Sequence, residues 1–159
     1  MASTGSSRRA ALKAIALAPL FALAARASDA KDYSSAAEVF DAIDGLEGDV
    51  STRLRALRLA LASAGPFAAS VLADYATHHA ARARFRRRLG LPPSSSATSS
   101  PPGEPDLEGL RAAQEALVYA HAEGLPAIGD PFVVDGLAHH MVDLSRHLTV
   151  TQLWIETES

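Results

Sequence analysis

Glycine and proline cut this chain at three places, and each interval between the cuts has the length and composition of a helix. Gly65-Pro66 is the first cut, the run from Gly90 to Pro105 (GLPPSSSATSSPPGEP) the second, and Gly124-Leu125-Pro126 the third. Proline has no amide hydrogen to give a helix, and its fixed φ suits a helix start, so Pro66 is well placed to open one. The spacing predicts helices over about 35–64, 67–89, 106–123 and 132–156. Alanine and leucine dominate, aromatic residues make up 6% of the chain, and β-branched runs are few, which favours packed helices over sheets. Two helical hairpins joined by a longer, low-complexity linker over 90–105 predict an all-α, four-helix bundle with one long crossover.

Ser34 or Ser35 can cap the first helix. Gly45 and Gly48 predict a break in it, with a restart near Asp49 or Ser51. Leu54, Leu57, Leu61 and Ala64 make its apolar stripe. On the second helix Val71, Tyr75, His78, Arg82, Phe85 and Leu89 share a face. Arg82, Arg84, Arg86, Arg87 and Arg88 crowd its C-terminal end, where cations complement the helix dipole. They predict a solvated helix end, or else a docking patch for an acidic partner. The fourth helix presents Val133, Leu137, His140, Leu144, His147, Thr151 and Trp154 on one side.

The first 27 residues hold Arg8, Arg9, Lys13 and Arg26 and no acid. Without them, eleven basic residues face eighteen acidic ones, a net charge of about −7. A body so acidic argues against nucleic-acid binding, because phosphate affinity comes largely from lysine and arginine. An apolar run from Ala14 to Ala25 follows the two arginines and is short for a membrane span. Ala25-Arg26-Ala27 has the small-x-small form of a cleavage site. Ser7-Arg8-Arg9-Ala10-Ala11-Leu12-Lys13 resembles a twin-arginine export signal, with Ala11 where phenylalanine is common. The expectation is a signal peptide over 1–27, a mature domain over 28–159, a membrane encounter only during export, and a periplasmic or otherwise exported location. The absence of cysteine removes disulfides, thiolate metal sites and covalently attached haem.

One motif occurs twice. Leu72-Ala73-Asp74-Tyr75-Ala76-Thr77-His78 and Met141-Val142-Asp143-Leu144-Ser145-Arg146-His147 share a layout of apolar, small apolar, Asp, apolar, small, any, His. Asp and His four apart lie on one helix face. Either these pairs take part in a metal site, or each buried imidazole is satisfied by the aspartate of its own helix. His140 lies three before Asp143 and seven before His147, on the same side, where it can extend a site. His79, His139 and His121 are expected at the surface. No serine stands on a sharp turn beside a base, which disfavours a Ser-His-Asp hydrolase.

The mature chain resembles the ferritin-like domains, diffusely over residues 35–156. The phrases RRRLGLPP after the second helix and AEGLPAIGDPF between the third and fourth contribute to the likeness. The resemblance implies a Glu on helices one and three and a Glu-x-x-His on helices two and four, aiming ligands at two iron or manganese ions. Glu47 and Glu115 match the single Glu positions, and His78 and His147 match the two His positions. The Glu places of the two Glu-x-x-His motifs hold Tyr75 and Leu144, so both bridging carboxylates of a standard di-iron centre are missing. Asp74 and Asp143 stand one residue earlier, about 100° around the helix. They can swing inward or act as acceptors for the imidazoles. The candidate metal set is therefore Glu47, Asp74, His78, Glu115, His140, Asp143 and His147. Three outcomes stay open: a two-metal oxidase or iron store, an altered site holding iron or manganese, or no metal and an accessory role. In the last case the partner is another protein or a further copy of the chain.

Overall fold

A computed structural model describes residues 32–60, 62–94 and 106–158, all within one compact unit, Asp32–Ser159. Residues 1–27, where an export signal is expected, and most of the 90–105 linker lie outside the described residues. The described chain is all-helical: α1 (Ala36–Ala60), α2 (Gly65–Arg88), α3 (Leu107–Gly124) and α4 (Pro131–Glu158). Short 3₁₀ turns at Ala62–Ala64 and Leu125–Ala127 close the two hairpins. No described helix is long and apolar enough to cross a membrane.

The helix ends follow local chemistry. Ser35 Oγ accepts from Glu38 N–H, and the Glu38 carboxylate accepts from Ser34 N–H, a reciprocal cap on α1. Asp106 caps α3 by accepting from Gly109 N–H. Asp130 caps α4 by accepting from Phe132 and Val133 N–H. α2 ends where Gly90 enters the left-handed region at φ 68°, with Gly90 N–H reaching Arg87 O and Leu91 N–H reaching Arg86 O. That pair of bonds is a Schellman stop, and glycine carries its conformation without a Cβ clash.

The break expected in α1 does not occur; the helix is continuous through Gly45 and Gly48. Two mid-helix glycines cost about 1 kcal/mol each. Against them stand Val39, Phe40, Ile43, Val50, Leu54 and Leu57, all buried on one side. Each large apolar side chain contributes about 1.5–3 kcal/mol when buried, so packing outweighs propensity.

Contacts between helices fix the topology. Arg82 and Arg86 of α2 meet Glu47, Asp44 and Asp41 of α1 in reverse order, so these two helices are antiparallel. A Cβ on Gly124 of α3 would strike Val39, and one on Gly109 would meet Arg53, so α1 and α3 are antiparallel too. Phe67, Asp74, His78 and Phe85 of α2 face Trp154, His147, Asp143 and Gly136 of α4. The steps are seven, four and seven residues on both helices, five helical turns in all, which keeps every contact on one face. α2 and α3 consequently run the same way, and α2 ends at the opposite end of the bundle from where α3 begins. α1 and α4 pack broadly on α3, whereas α2 meets α4 mainly through long side chains.

Candidate functional site

α2 brings polar side chains into the core. Its inward face carries Tyr75, His78, Arg82, Phe85 and Arg86, all buried. Arg82 is 1% exposed. Its Nη1 and Nη2 donate to the two carboxylate oxygens of Glu47 at 2.8 and 2.6 Å, and its Nε donates to Asp44 Oδ1 at 2.8 Å. The fork of the guanidinium thus matches Glu47 in bidentate fashion. Burial would lower the Arg82 pKa, but the Glu47 and Asp44 carboxylates hold it above its ordinary value. Burial likewise works to raise the Asp44 carboxyl, and Arg82, Ser94 and Arg86 hold it below the usual range. Arg86 reaches Asp41 and Asp44 through Nη2 and the Pro92 carbonyl through Nη1.

The arginine run is therefore split. Arg84, Arg87 and Arg88 are solvated as expected, but Arg82 and Arg86 are core residues. The signal was available: Arg82 falls on the apolar face with Val71, His78 and Phe85, and Asp41, Asp44 and Glu47 recur every third residue on α1.

The two Asp-x-x-x-His motifs engage each other rather than themselves. His147 Nε2 lies 2.9 Å from Asp74 Oδ2, and His78 Nε2 lies 3.4 Å from Asp143 Oδ2. Each imidazole donates to the aspartate of the other motif, which corrects the expectation of pairing within one helix. Asp143 also accepts from Arg146, and both aspartates keep an edge in solvent.

Behind these pairs lies a second tier of rings. His140 stacks on His78 with centroids 4.1 Å apart, and His121 meets His140 edge-on at 6.4 Å. His121 is fully buried, contrary to the expected surface position, and its Nδ1 donates to the Leu117 carbonyl at 2.9 Å. Burial pushes the His121 pKa down to about 4. Burial, with the neighbouring His78 and His121 rings, pushes His140 down to about 3. Both rings are neutral near pH 7. Burial also lowers His147, and Asp74 partly restores it. Tyr75 lies between His78 and His147, beside Gln114, but its hydroxyl makes no hydrogen bond of ordinary geometry among the described residues. Burial and the charge of Glu47 raise its pKa.

Of the seven candidate ligands, the structure brings His78, His140 and Asp143 together, and places Asp74 with His147 one turn away. Glu47 faces Arg82. Glu115, on α3, is half-buried and pairs with Arg111 of its own helix at 2.7 Å. In these rotamers no three His, Asp or Glu side chains among the described residues converge on one metal position. His79 and His139 are exposed, as expected.

No family model, curated protein or solved structure matches this chain.

Proposed function

We propose that this chain is an exported ferritin-like bundle without a standard di-iron centre, acting in the cell envelope as an accessory, protein-binding module. One observation carries this reading. Both oxygens of Glu47, the carboxylate that the ferritin-like resemblance assigns to a metal, bind the Arg82 guanidinium. A permanent cation inside the protein then balances the α1 carboxylates, and no bridging glutamate stands at Tyr75 or Leu144. The long connection between parallel α2 and α3 agrees with the crossover of that family. For a binding role, support comes from α4, whose outer side leaves Phe132, Val142, Val150 and Leu153 exposed.

The test is iron chemistry on protein recovered through its native export route. Fe(II) in air should oxidise no faster with the protein than without it, and no stoichiometric iron should stay bound after desalting. Rapid oxidation with two irons retained per chain would overturn the reading. Export is tested by replacing Arg8 and Arg9 with lysine, which should hold the protein in the cytoplasm.

A second reading, a metalloprotein with an altered ligand set for iron or manganese, is favoured by one feature: buried ring nitrogens of His78, His140 and His147 lack hydrogen-bond partners among the described residues. Iron or manganese lost in His78→Ala and His147→Ala variants would support it.

A further inference from the structure

We propose that the outer side of α4 packs antiparallel against the same side of α4 in a second copy of this chain. This pairing rests on the protein-binding reading of α4 and gives that surface its partner and its register.

Phe132, Val142, Val150 and Leu153 are 62%, 49%, 45% and 52% exposed, and Leu59 is the only other large apolar side chain so exposed among the described residues. Asp135, His139 and Arg146 fill the gaps between them, so exposed residues recur every three or four positions from 132 to 153. At 100° per residue these positions lie within about 80° of the helix circumference. Gly136, Asp143 and His147, which meet α2, fall outside that arc, as do Leu137 and Leu144 in the core. A narrow stripe with a three-four repeat is the form in which two helices pack side by side.

The charges on the stripe select the partner and the direction. Asp135 and Arg146 are 76% and 73% exposed. A parallel pair would set Arg146 against Arg146 and Asp135 against Asp135. An antiparallel pair with its two-fold axis midway between His139 and Val142 sets Asp135 of each copy against Arg146 of the other, so symmetry supplies two opposite-charge pairs. The same axis puts His139 against Val142 and Phe132 against Val150. Leu153 then lies over Gly129 of the other copy, where the space a Cβ would fill is open. No charge is left facing its own kind. Arg146 donates to Asp143 of its own helix through Nη1, which leaves Nη2 and Nε for the other copy. His139 holds Asp135 only loosely, at 3.7 Å. One helix stripe on each side makes a small contact, below about 1,200 Å², so the dimer is reversible.

The experiment is sedimentation velocity on the full 159-residue chain, at concentrations up to about 1 mM, the range in which small interfaces assemble. The expected result is a monomer–dimer equilibrium. Asp135→Arg and Arg146→Asp should each weaken it by roughly tenfold or more, because each sets like charges together twice. Mixing the two variants should restore association, as a heterodimer with both opposite-charge pairs, and a chain carrying both substitutions should pair with itself. Val142→Asp should weaken association in every one of these backgrounds. All three positions are exposed, so helix content and melting temperature should stay close to the parent's. A parent that stays monomeric at the highest concentration would overturn the proposal and leave a different protein as the occupant. Association insensitive to these substitutions would overturn it too, by placing the contact elsewhere. So would association that Val142→Asp weakens but that mixing the charge variants fails to recover, because the copies would then not be antiparallel in this register. Iron oxidation is a separate readout, and a monomer that leaves Fe(II) unoxidised keeps the accessory reading.

Discussion

His147 donates to Asp74 across the α2–α4 contact at 2.9 Å, although its own helix carries Asp143 four residues earlier. The register that places Asp74 opposite His147 also places Asp143 opposite His78, so one alignment of two helices gives the Nε2 of both imidazoles an acceptor. A double-mutant cycle on Asp74 and His147 should give a coupling of about 0.5–1 kcal/mol, because Asp74 is half-exposed and screened. The same cycle on Asp143 and His147 should give a coupling near zero. Urea denaturation of the four variants in each cycle measures both.

Removing Arg82 should be far more damaging than removing any surface arginine. Arg82→Ala strands Glu47 and Asp44 in the core, and breaking a buried pair in this way costs about 3–5 kcal/mol. Arg82→Lys should recover little, since an ammonium cannot match the bidentate geometry. Arg82→Leu combined with Glu47→Leu and Asp44→Leu should be much closer to the parent than Arg82→Ala. Chemical denaturation curves with equal m-values would check this ordering.

Acid should weaken the fold before the carboxylates titrate. The folded pKa values of His121 and His140, about 4 and about 3, lie below the unfolded value of 6.5. The unfolded chain therefore binds protons that the folded chain refuses as the pH drops from about 6.5 towards 4. Each ring then makes stability fall by at most about 1.4 kcal/mol per pH unit in that window. Above pH 7 both rings are neutral in either state and the dependence vanishes. In the His121→Leu variant the slope between pH 6.5 and 5 should be shallower than the parent's, with His140 and His147 supplying what remains, by urea denaturation at fixed ionic strength.

Gly136 makes room on α4 for the ring of Phe85 from α2. A Cβ there would strike the ring of Phe85, which is buried and also packs on Phe132 and His140. Gly136→Ala should destabilise by about 1–3 kcal/mol through overpacking, despite alanine's better helix propensity. Gly45→Ala, with open space around it, should stabilise by up to about 1 kcal/mol. Opposite shifts in melting temperature for the two substitutions are the expected readout.

If the outer side of α4 binds protein, Val142→Asp with Leu153→Asp should abolish association without changing the fold. Light scattering across a concentration series should show self-association of the parent disappear if the partner is another copy. Unchanged oligomeric state in both proteins would leave a different protein as the only partner to seek.

Four helices were legible because their boundaries are local. Gly65-Pro66, Asp106, Gly124 and Asp130 act on backbone groups a few residues away, and the observed ends lie within two residues of those expected, the scale on which boundaries are fixed, except that α1 stops four residues early. The repeated Asp-x-x-x-His motif was legible for the same reason, as a pattern within one helix. The continuity of α1 was not, because the glycine penalties are local and the packing that outweighs them comes from other helices. Nor was the burial of His121 or of Arg82, since a polar side chain announces its chemistry but not the partner that makes burial tolerable.

The order of residues alone determined that the described residues are all-α and where each rod starts and stops, since capping, proline geometry and apolar spacing act over a single turn. Tertiary structure decided that each aspartate serves the imidazole of the other motif, that Glu47 holds a guanidinium, and that three histidines share one layer. Those outcomes depend on the register between α2 and its neighbours, and register is a property of two helices together, written in neither one by itself.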